Sequence, residues 1–176
     1  LQQHSSIKGQ SWKNIRGKLT SMAALDKLTW FGVGGPSEWL FEPADTQDLI
    51  FLLQNCPNEI PIHVLGAGSN TLVRDGGVKG ITIKLNGLFT QITFEKPDKI
   101  IAGAGASDAE VARFAANREI AGLEFLIGIP GTIGGGLRMN AGANGGEFKD
   151  VLERAFAIDR KGIQHGVSAS DLQMNY

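Results

Sequence analysis

Residues 122–147 read GLEFLIGIPGTIGGGLRMNAGANGGE, and nine of these 26 positions are glycine. A glycine in the interior of a helix or strand lowers its stability, so the sequence predicts an irregular segment. Glycine also lets the backbone approach a flat or charged group closely. A flexible linker is the alternative, but linkers lack the large apolar side chains found here, such as Phe125, Leu126 and Ile129. We interpret the segment as a glycine wall whose exposed N–H groups lie against a ligand.

A second glycine turn lies earlier in the chain, where residues 64–70 read VLGAGSN. A strand that ends in Gly-x-Gly-Ser-Asn presents successive N–H groups and a hydroxyl, which suits a pyrophosphate in an anion-binding nest. The motif differs from the dinucleotide fingerprint of a doubly wound sheet, which needs Gly or Ala where this chain has Thr71. Alone it is equally typical of a plain tight turn. The glycine wall favours the ligand-binding interpretation.

Charge and composition exclude several classes of protein. The chain has 17 basic and 18 acidic residues, a net charge of −1 and no run of like charge, so we expect neither nucleic-acid nor membrane binding. The apolar run at residues 49–53 is too short to cross a bilayer. The N-terminal residues lack the apolar core of a secretory signal. Cys56 is the single cysteine, which excludes an internal disulfide and fits a cytoplasmic protein.

The sequence contains no recognisable catalytic or metal-binding constellation. The three histidines are His4, His63 and His165. None of them has a cysteine or carboxylate at the spacing of metal ligands. Glu124 and Glu147 flank the glycine wall. Either could be catalytic, but we favour a role in holding the loop through backbone N–H groups. Arg138 could neutralise a ligand carboxylate or phosphate, or form a surface ion pair.

The hydrophobic pattern predicts helices and strands interleaved in two halves, without regular βαβ alternation. A short N-terminal helix is predicted from apolar residues at helical spacing: Trp12, Ile15 and Leu19. The first half should hold strands 38–42, 62–65 and 81–85, and a helix 47–55 capped by Asp45 or Thr46. The second should hold strands 91–95 and 99–102, a helix 108–118 with a capping box of Ser107 and Glu110, and a hairpin of residues 154–159 and 163–167.

LGAGSN at residues 65–70, taken with residues 122–147, resembles the UDP-N-acetylenolpyruvoylglucosamine reductases of bacterial cell-wall synthesis. TWFGVGG at residues 29–35 resembles the N-terminal signature of the same family. The resemblance covers residues 28–176. It implies an α+β fold, an FAD-binding domain of the vanillyl-alcohol-oxidase type. We expect an extension at 1–27, subdomains at 28–86 and 87–176, and a C-terminal substrate domain absent from this chain.

The resemblance implies FAD and NADPH as cofactors and a nucleotide sugar as substrate. Residues 66–70 would hold the FAD pyrophosphate, and the glycine wall would line the isoalloxazine and ribityl chain. The implied cofactor-binding residues are Gly66, Ala67, Gly68, Ser69, Asn70, Gly128, Ile129, Pro130, Gly131, Thr132, Gly134, Gly135, Asn140, Ala141 and Gly142. Backbone donors at the flavin would stabilise the negative charge that grows on reduction.

In this family, NADPH reduces FAD, and hydride then passes to an enolpyruvyl ether to give UDP-N-acetylmuramate. Tyr176 resembles the tyrosine that precedes the family's catalytic arginine. The arginine, the proton-donating serine and a late glutamate would therefore follow Tyr176. We accordingly expect a monomeric flavin-binding piece that is inactive in isolation.

Two other functions stay open at the level of sequence. The first is an FAD-dependent oxidoreductase of the same fold that oxidises a hydroxy acid or alcohol. The second is a non-catalytic nucleotide-binding module that uses the same glycine turns. Oxygen consumption with such a substrate would favour the first, and preference for a plain nucleotide over FAD would favour the second.

Overall fold

The computed structural model of the chain describes residues 12–174. Its strands are β1 Lys18–Ala23, β2 Ser37–Glu42, β3 Ile62–Leu65, β4 Val78–Lys84, β5 Ile92–Glu95, β6 Lys99–Ala102, β7 Gly142–Ala143, β8 Gly146–Glu147, β9 Arg154–Ile158 and β10 Gln164–Ser168. Its α-helices are α1 Thr46–Asn55, α2 Asp108–Ala116, α3 Ile133–Met139 and α4 Phe148–Val151, with 3-10 turns at Gly87–Thr90 and Glu124–Gly128. The mixture confirms the predicted α+β class. No helix within residues 12–174 has the length and apolarity to cross a membrane.

The first half of the chain builds a four-stranded sheet in the order β1-β2-β4-β3. β4 runs parallel to both β2 and β3, and β1 runs antiparallel to β2. Helix α1 shares a core with this sheet, made of Phe41, Leu49, Leu52, Leu53, Cys56, Ile60, Ile81 and Ile83. Because β3 and β4 are parallel and Leu65 pairs with Lys84, both strands end at the same edge. The turn at residues 66–70 begins at that edge.

The predicted N-terminal helix is wrong where the structure describes it. Residues Lys18–Ala23 form β1, in which Leu19 pairs with Phe41. Trp12 and Ile15 precede this strand and pack against the same core as Leu19. The apolar spacing therefore came from a loop and a strand that cover one core, which a local pattern cannot distinguish from a helix. Residues 1–11 of the predicted extension lie outside the described residues.

The second half builds its own core around α2 and the 3-10 turn Glu124–Gly128. Its buried members are Ala106, Val111, Ala112, Phe125, Leu126, Ile129 and Phe148. Phe125 and Phe148 meet edge to face, with ring centroids 6.1 Å apart and an interplanar angle of 89°. The hairpin of β9 and β10 follows this core in the chain, but its Ile158 packs against the core of the first half. The subdomain boundary near residue 86 stays a prediction.

Candidate cofactor site

The glycine turn at residues 66–70 and the glycine wall lie next to each other. A Cβ built on Gly66 would be 2.8 Å from Thr132 Oγ1 and 4.0 Å from Gly135 Cα. No side chain could therefore stand at Gly66 without displacing Thr132. The parallel pairing of β3 with β4 delivers one turn to this point, and the start of α3 delivers the other.

The turn at residues 66–70 is held from behind by residues 28–30. Gly68 is buried and has a φ of +71°, and a Cβ there would be 2.3 Å from the Leu28 carbonyl oxygen. The Gly68 carbonyl accepts a hydrogen bond from the Trp30 N–H at 3.1 Å. Thr29 Oγ1 is buried and has no hydrogen-bond partner within residues 12–174. The segment that resembles the family's N-terminal signature is thus the support of this turn.

Three residues of this turn have hydrogen-bonding groups without a protein partner in the described part of the chain. Ala67, Ser69 and Asn70 form no hydrogen bond to any other residue in the described part of the chain. Ala67 and Ser69 are half-buried and Asn70 is exposed. These three residues lie within four positions of the chain, so their free donors could bind one anionic ligand together.

The glycine wall is more regular than its sequence predicted. Residues Ile133–Met139 form α3, whose N-cap is Thr132. A Cβ at Gly136 would be 2.3 Å from Phe148 Cε2, and a Cβ at Gly134 would be 3.0 Å from the Ala104 carbonyl oxygen. These two glycines are needed for close packing of a helix, which overrides their poor helix propensity. Gly135 differs because it is exposed and a Cβ there would meet only Thr132 Oγ1, at 3.4 Å.

The expectation that the wall exposes its N–H groups is wrong at several positions. The N–H groups of Ile133 and Gly134 donate to the carbonyls of Ala106 and Ala104, at 2.9 and 2.8 Å. The Gly131 N–H donates to the Ile129 carbonyl at 2.9 Å. The bonds of Ile133 and Gly134, with the one from the Asp108 N–H to the Gly131 carbonyl, fix the wall against residues 104–108. They make it a rigid surface whose Gly128, Pro130 and Gly135 are exposed and whose Ile129 is buried.

Residues 140–142 close α3. Asn140 adopts the left-handed conformation with φ +45° and is 1% exposed. Its side chain donates to Glu147 Oε2 at 2.7 Å and accepts from the Lys149 N–H at 3.0 Å. The Asn140 side chain is therefore engaged inside the protein, and its predicted contact with a cofactor remains a prediction, as do those of Ala141 and Gly142.

The two flanking glutamates hold the loop, as predicted. Glu124 Oε2 accepts from the Gly122 N–H at 2.8 Å. Glu147 accepts from Asn140 and forms a reciprocal capping box with Asp150 at the start of α4. The Lys149 ammonium, at 2.8 Å, holds the pKa of Glu147 below its usual range. Both carboxylates thus have structural partners.

Other candidate groups give no site. Arg138 is exposed and forms no ion pair with any residue between 12 and 174, so its two interpretations stay open. The histidine, cysteine, aspartate and glutamate side chains of the described residues form no group of three that could hold a metal ion.

Sequence reasoning missed Lys84. Its Nζ donates to the Gly66 carbonyl at 2.8 Å, at the first residue of the turn. Burial lowers the pKa of Lys84, and the nearby Glu42 carboxylate opposes this shift. The signal that could have found Lys84 is the parallel pairing of two strands that end together, which depends on strand register rather than on local sequence.

Sequence reasoning also missed Asp108, the first residue of α2. Its side chain is fully buried, and neither carboxyl oxygen has a hydrogen-bond partner in the described residues. A Cβ on Gly131 would be 2.5 Å from Asp108 Oδ2, so the carboxyl group lies directly behind the glycine wall. Burial raises the pKa of Asp108 to about 7.

Comparison with known proteins gives one family and a consistent set of relatives. The family model for an FAD binding domain matches residues 37–168. A UDP-N-acetylenolpyruvoylglucosamine reductase of Bradyrhizobium sp. (strain ORS 278) is 53% identical over 163 residues, which are 92% of this chain and 53% of the relative. The protein of the same name from Phenylobacterium zucineum is 49% identical over 94% of this chain and 57% of its own length. The chain thus spans about half the length of these relatives.

Solved structures agree on the fold. The UDP-N-acetylenolpyruvylglucosamine reductase of Thermus caldophilus superimposes with a TM-score of 0.76 at 35% identity, over 92% of this chain and 55% of that one. The 6-hydroxy-D-nicotine oxidase of Arthrobacter nicotinovorans gives a TM-score of 0.65 at 18% identity, over 89% and 37% of the two chains. At that identity the second likeness concerns the fold alone. Together they confirm the vanillyl-alcohol-oxidase type of fold.

Proposed function

Because this chain belongs to the FAD-binding-domain family, we propose that it is the flavin-binding part of an NADPH-dependent UDP-N-acetylenolpyruvoylglucosamine reductase. The names of its relatives support this reaction, which makes UDP-N-acetylmuramate for peptidoglycan. The partner in the full-length protein would be a nucleotide sugar. A cytoplasmic monomer fits a chain with one buried, unpaired cysteine and balanced charge.

The contact between the turn at residues 66–70 and the glycine wall is the observation that supports the proposal most directly. A ligand with both a diphosphate and a flat ring system needs an anion-binding turn beside a smooth surface. Gly66 lies against Thr132 and Gly135, so both features occur side by side. The unused donors at Ala67, Ser69 and Asn70 fit the diphosphate, and the exposed Gly135 leaves space beside the wall for a ring.

When bound, FAD would supply the two-electron carrier between NADPH and the enolpyruvyl double bond. This chain's residues would bind and orient it. The N–H groups and hydroxyl of the turn at 66–70 would hold the diphosphate oxygens. The wall at 128–135 is fixed by its bonds to residues 104–108, so it would hold the ring without reorganising and would exclude water from one face.

A titration with FAD tests this proposal. We expect the purified chain, freed of flavin, to bind one equivalent of FAD with quenching of flavin fluorescence and a change in the visible spectrum. ADP and adenosine serve as competing ligands. Absence of FAD binding would contradict the proposal, and ADP binding as tight as FAD would favour a plain nucleotide-binding module.

A further inference from the structure

Lys84 lies beneath the turn that the proposed function assigns to the diphosphate. Lys84 is the last residue of β4. It pairs with Leu65, the residue before the turn. Its Nζ donates to the Gly66 carbonyl at 2.8 Å. Lys84 is half-buried, so its charge is only partly screened by water.

The hydrogen bond fixes the peptide group between Gly66 and Ala67. A carbonyl that accepts from an ammonium directs the N–H of the same peptide group to the opposite side, here the Ala67 N–H. That N–H has no partner among residues 12–174. An ammonium on the carbonyl also polarises the peptide group, which strengthens its N–H as a donor.

The positive charge of Lys84 has one carboxylate acting on it, and that carboxylate has other partners. Glu42 is the carboxylate that acts on it. Glu42 also accepts from Asn86 Nδ2 at 2.8 Å and lies 3.7 Å from Lys18 Nζ. Glu42 is therefore shared among three groups, while no salt bridge joins it to Lys84 in the described residues.

We propose that Lys84 is a positioning residue that makes this site selective for a ligand with a diphosphate, by fixing and polarising the peptide group between Gly66 and Ala67. The inference rests on the proposed function, because it assumes that the ligand's diphosphate lies on this turn. It adds a side chain from β4 to a diphosphate site otherwise built from the residues of the turn at 66–70.

The experiment compares ligands that differ in the diphosphate. Dissociation constants of FAD, ADP and riboflavin are measured at low and high salt for the wild-type chain, K84M, K84R and K79M. Methionine keeps the length of lysine without its charge. Lys79 is exposed near the opposite end of the same strand, so K79M controls for the loss of one positive charge on β4. Thermal unfolding checks that each variant is folded.

We expect K84M to bind FAD and ADP about tenfold more weakly, the effect of losing one charge-assisted interaction. Riboflavin should bind K84M and the wild-type chain equally, and K79M should match the wild type with every ligand. The salt dependence of FAD binding should be weaker in K84M than in the wild type, and K84R should recover part of the affinity.

Two results would overturn the inference and leave the proposed function intact. One is equal weakening of FAD and riboflavin in K84M, which would make Lys84 a support of the fold only. The other is unchanged FAD affinity in K84M. Failure of the wild-type chain to bind FAD at all would instead remove the proposed function and the inference with it.

Discussion

Asp108 is expected to make the folding stability of the chain depend on pH. Its carboxyl group is fully buried without a hydrogen-bond partner in the described residues, and its pKa is raised to about 7. A folded-state pKa above the unfolded value means that the folded chain holds a proton that the unfolded chain releases. Stability is therefore lost as the pH rises from the unfolded pKa through about 7.

We expect D108N to remove this loss, because an amide does not ionise. Between about pH 5 and about pH 8, the unfolding free energy of the wild type should fall by roughly 2 to 3 kcal/mol relative to D108N. Urea unfolding of the flavin-free chain at both pH values measures the difference. D98N, at an exposed carboxyl, controls for the removal of a negative charge. Parallel pH profiles for D108N and the wild type would contradict the expectation.

At the scale of residues, the sequence predicted the groups whose role depends on backbone conformation. Gly66 and Gly68 lie in the turn where the sequence predicted them, whereas Gly135 lies in α3 rather than in an irregular segment. It missed Lys84 and Asp108, because their roles arise from strand register and from burial behind another segment. A lysine or aspartate is more often exposed than buried, so neither residue type drew notice in the sequence.

Helix α3 is an element in which three successive glycines have different environments. Gly136 faces Phe148, with a Cβ distance of 2.3 Å to Cε2, whereas Gly135 is exposed. We expect G136A to overpack this core and to lower stability by about 1 to 3 kcal/mol. G135V should keep stability within roughly 1 kcal/mol and yet weaken FAD binding at least about tenfold, since its branched side chain enters the space beside the wall.

Urea unfolding and FAD titration of the two variants separate these effects. The variants are adjacent in one helix, so each is the control for the other. Stable folding of G136A would show that Phe148 moves aside. Retained FAD affinity in G135V would remove Gly135 from the cofactor surface.

Asp48 joins three segments at the start of α1. It is 1% exposed, and its oxygens accept from the N–H groups of Arg16, Gly17 and Ala44 at 2.9, 2.7 and 3.0 Å. D48A would leave these donors without their acceptor, so we expect a loss of about 3 to 5 kcal/mol. Hydrogen exchange at the Arg16 and Gly17 amides should be faster than in the wild type under conditions where the variant is still folded. D75A, in an exposed turn, is the control, and unchanged exchange would refute the role of Asp48.

At the scale of elements, the sequence predicted the helix caps and strand bounds that depend on neighbouring residues. Asp45 caps α1, Ser107 Oγ accepts from the Glu110 N–H, and Ile62–Leu65 has the predicted bounds. β1 was missed because it is defined by antiparallel pairing with β2, which the local sequence does not show. α3 was missed because packing against Phe148 and Ala104 outweighs glycine's poor helix propensity.

The whole molecule is tied together by the return of its C-terminal hairpin to the first half of the chain. The Arg160 guanidinium donates to the carbonyls of Pro57 and Ile60, at 3.0 and 3.2 Å. A Cβ on Gly162 would lie 2.9 Å from Ile50 Cγ2 on α1. No sequence signal indicated this contact, because it joins residues 100 or more positions apart. The sequence thus predicted that the two halves meet at the glycine-rich segments, but it did not predict this second link between them.

We expect R160M to release the tip of this hairpin. Loss of a charged donor to two carbonyls should cost about 1 to 3 kcal/mol, and the loss should concentrate where the contact lies. Hydrogen exchange of β9 and β10 should accelerate, while that of β2 and β4 should keep its wild-type rate. K161M is the matched control, since Lys161 is the next residue and is exposed. Equal acceleration in both sheets would mean that the two halves unfold as one unit, in which case Arg160 supports the whole fold rather than one hairpin.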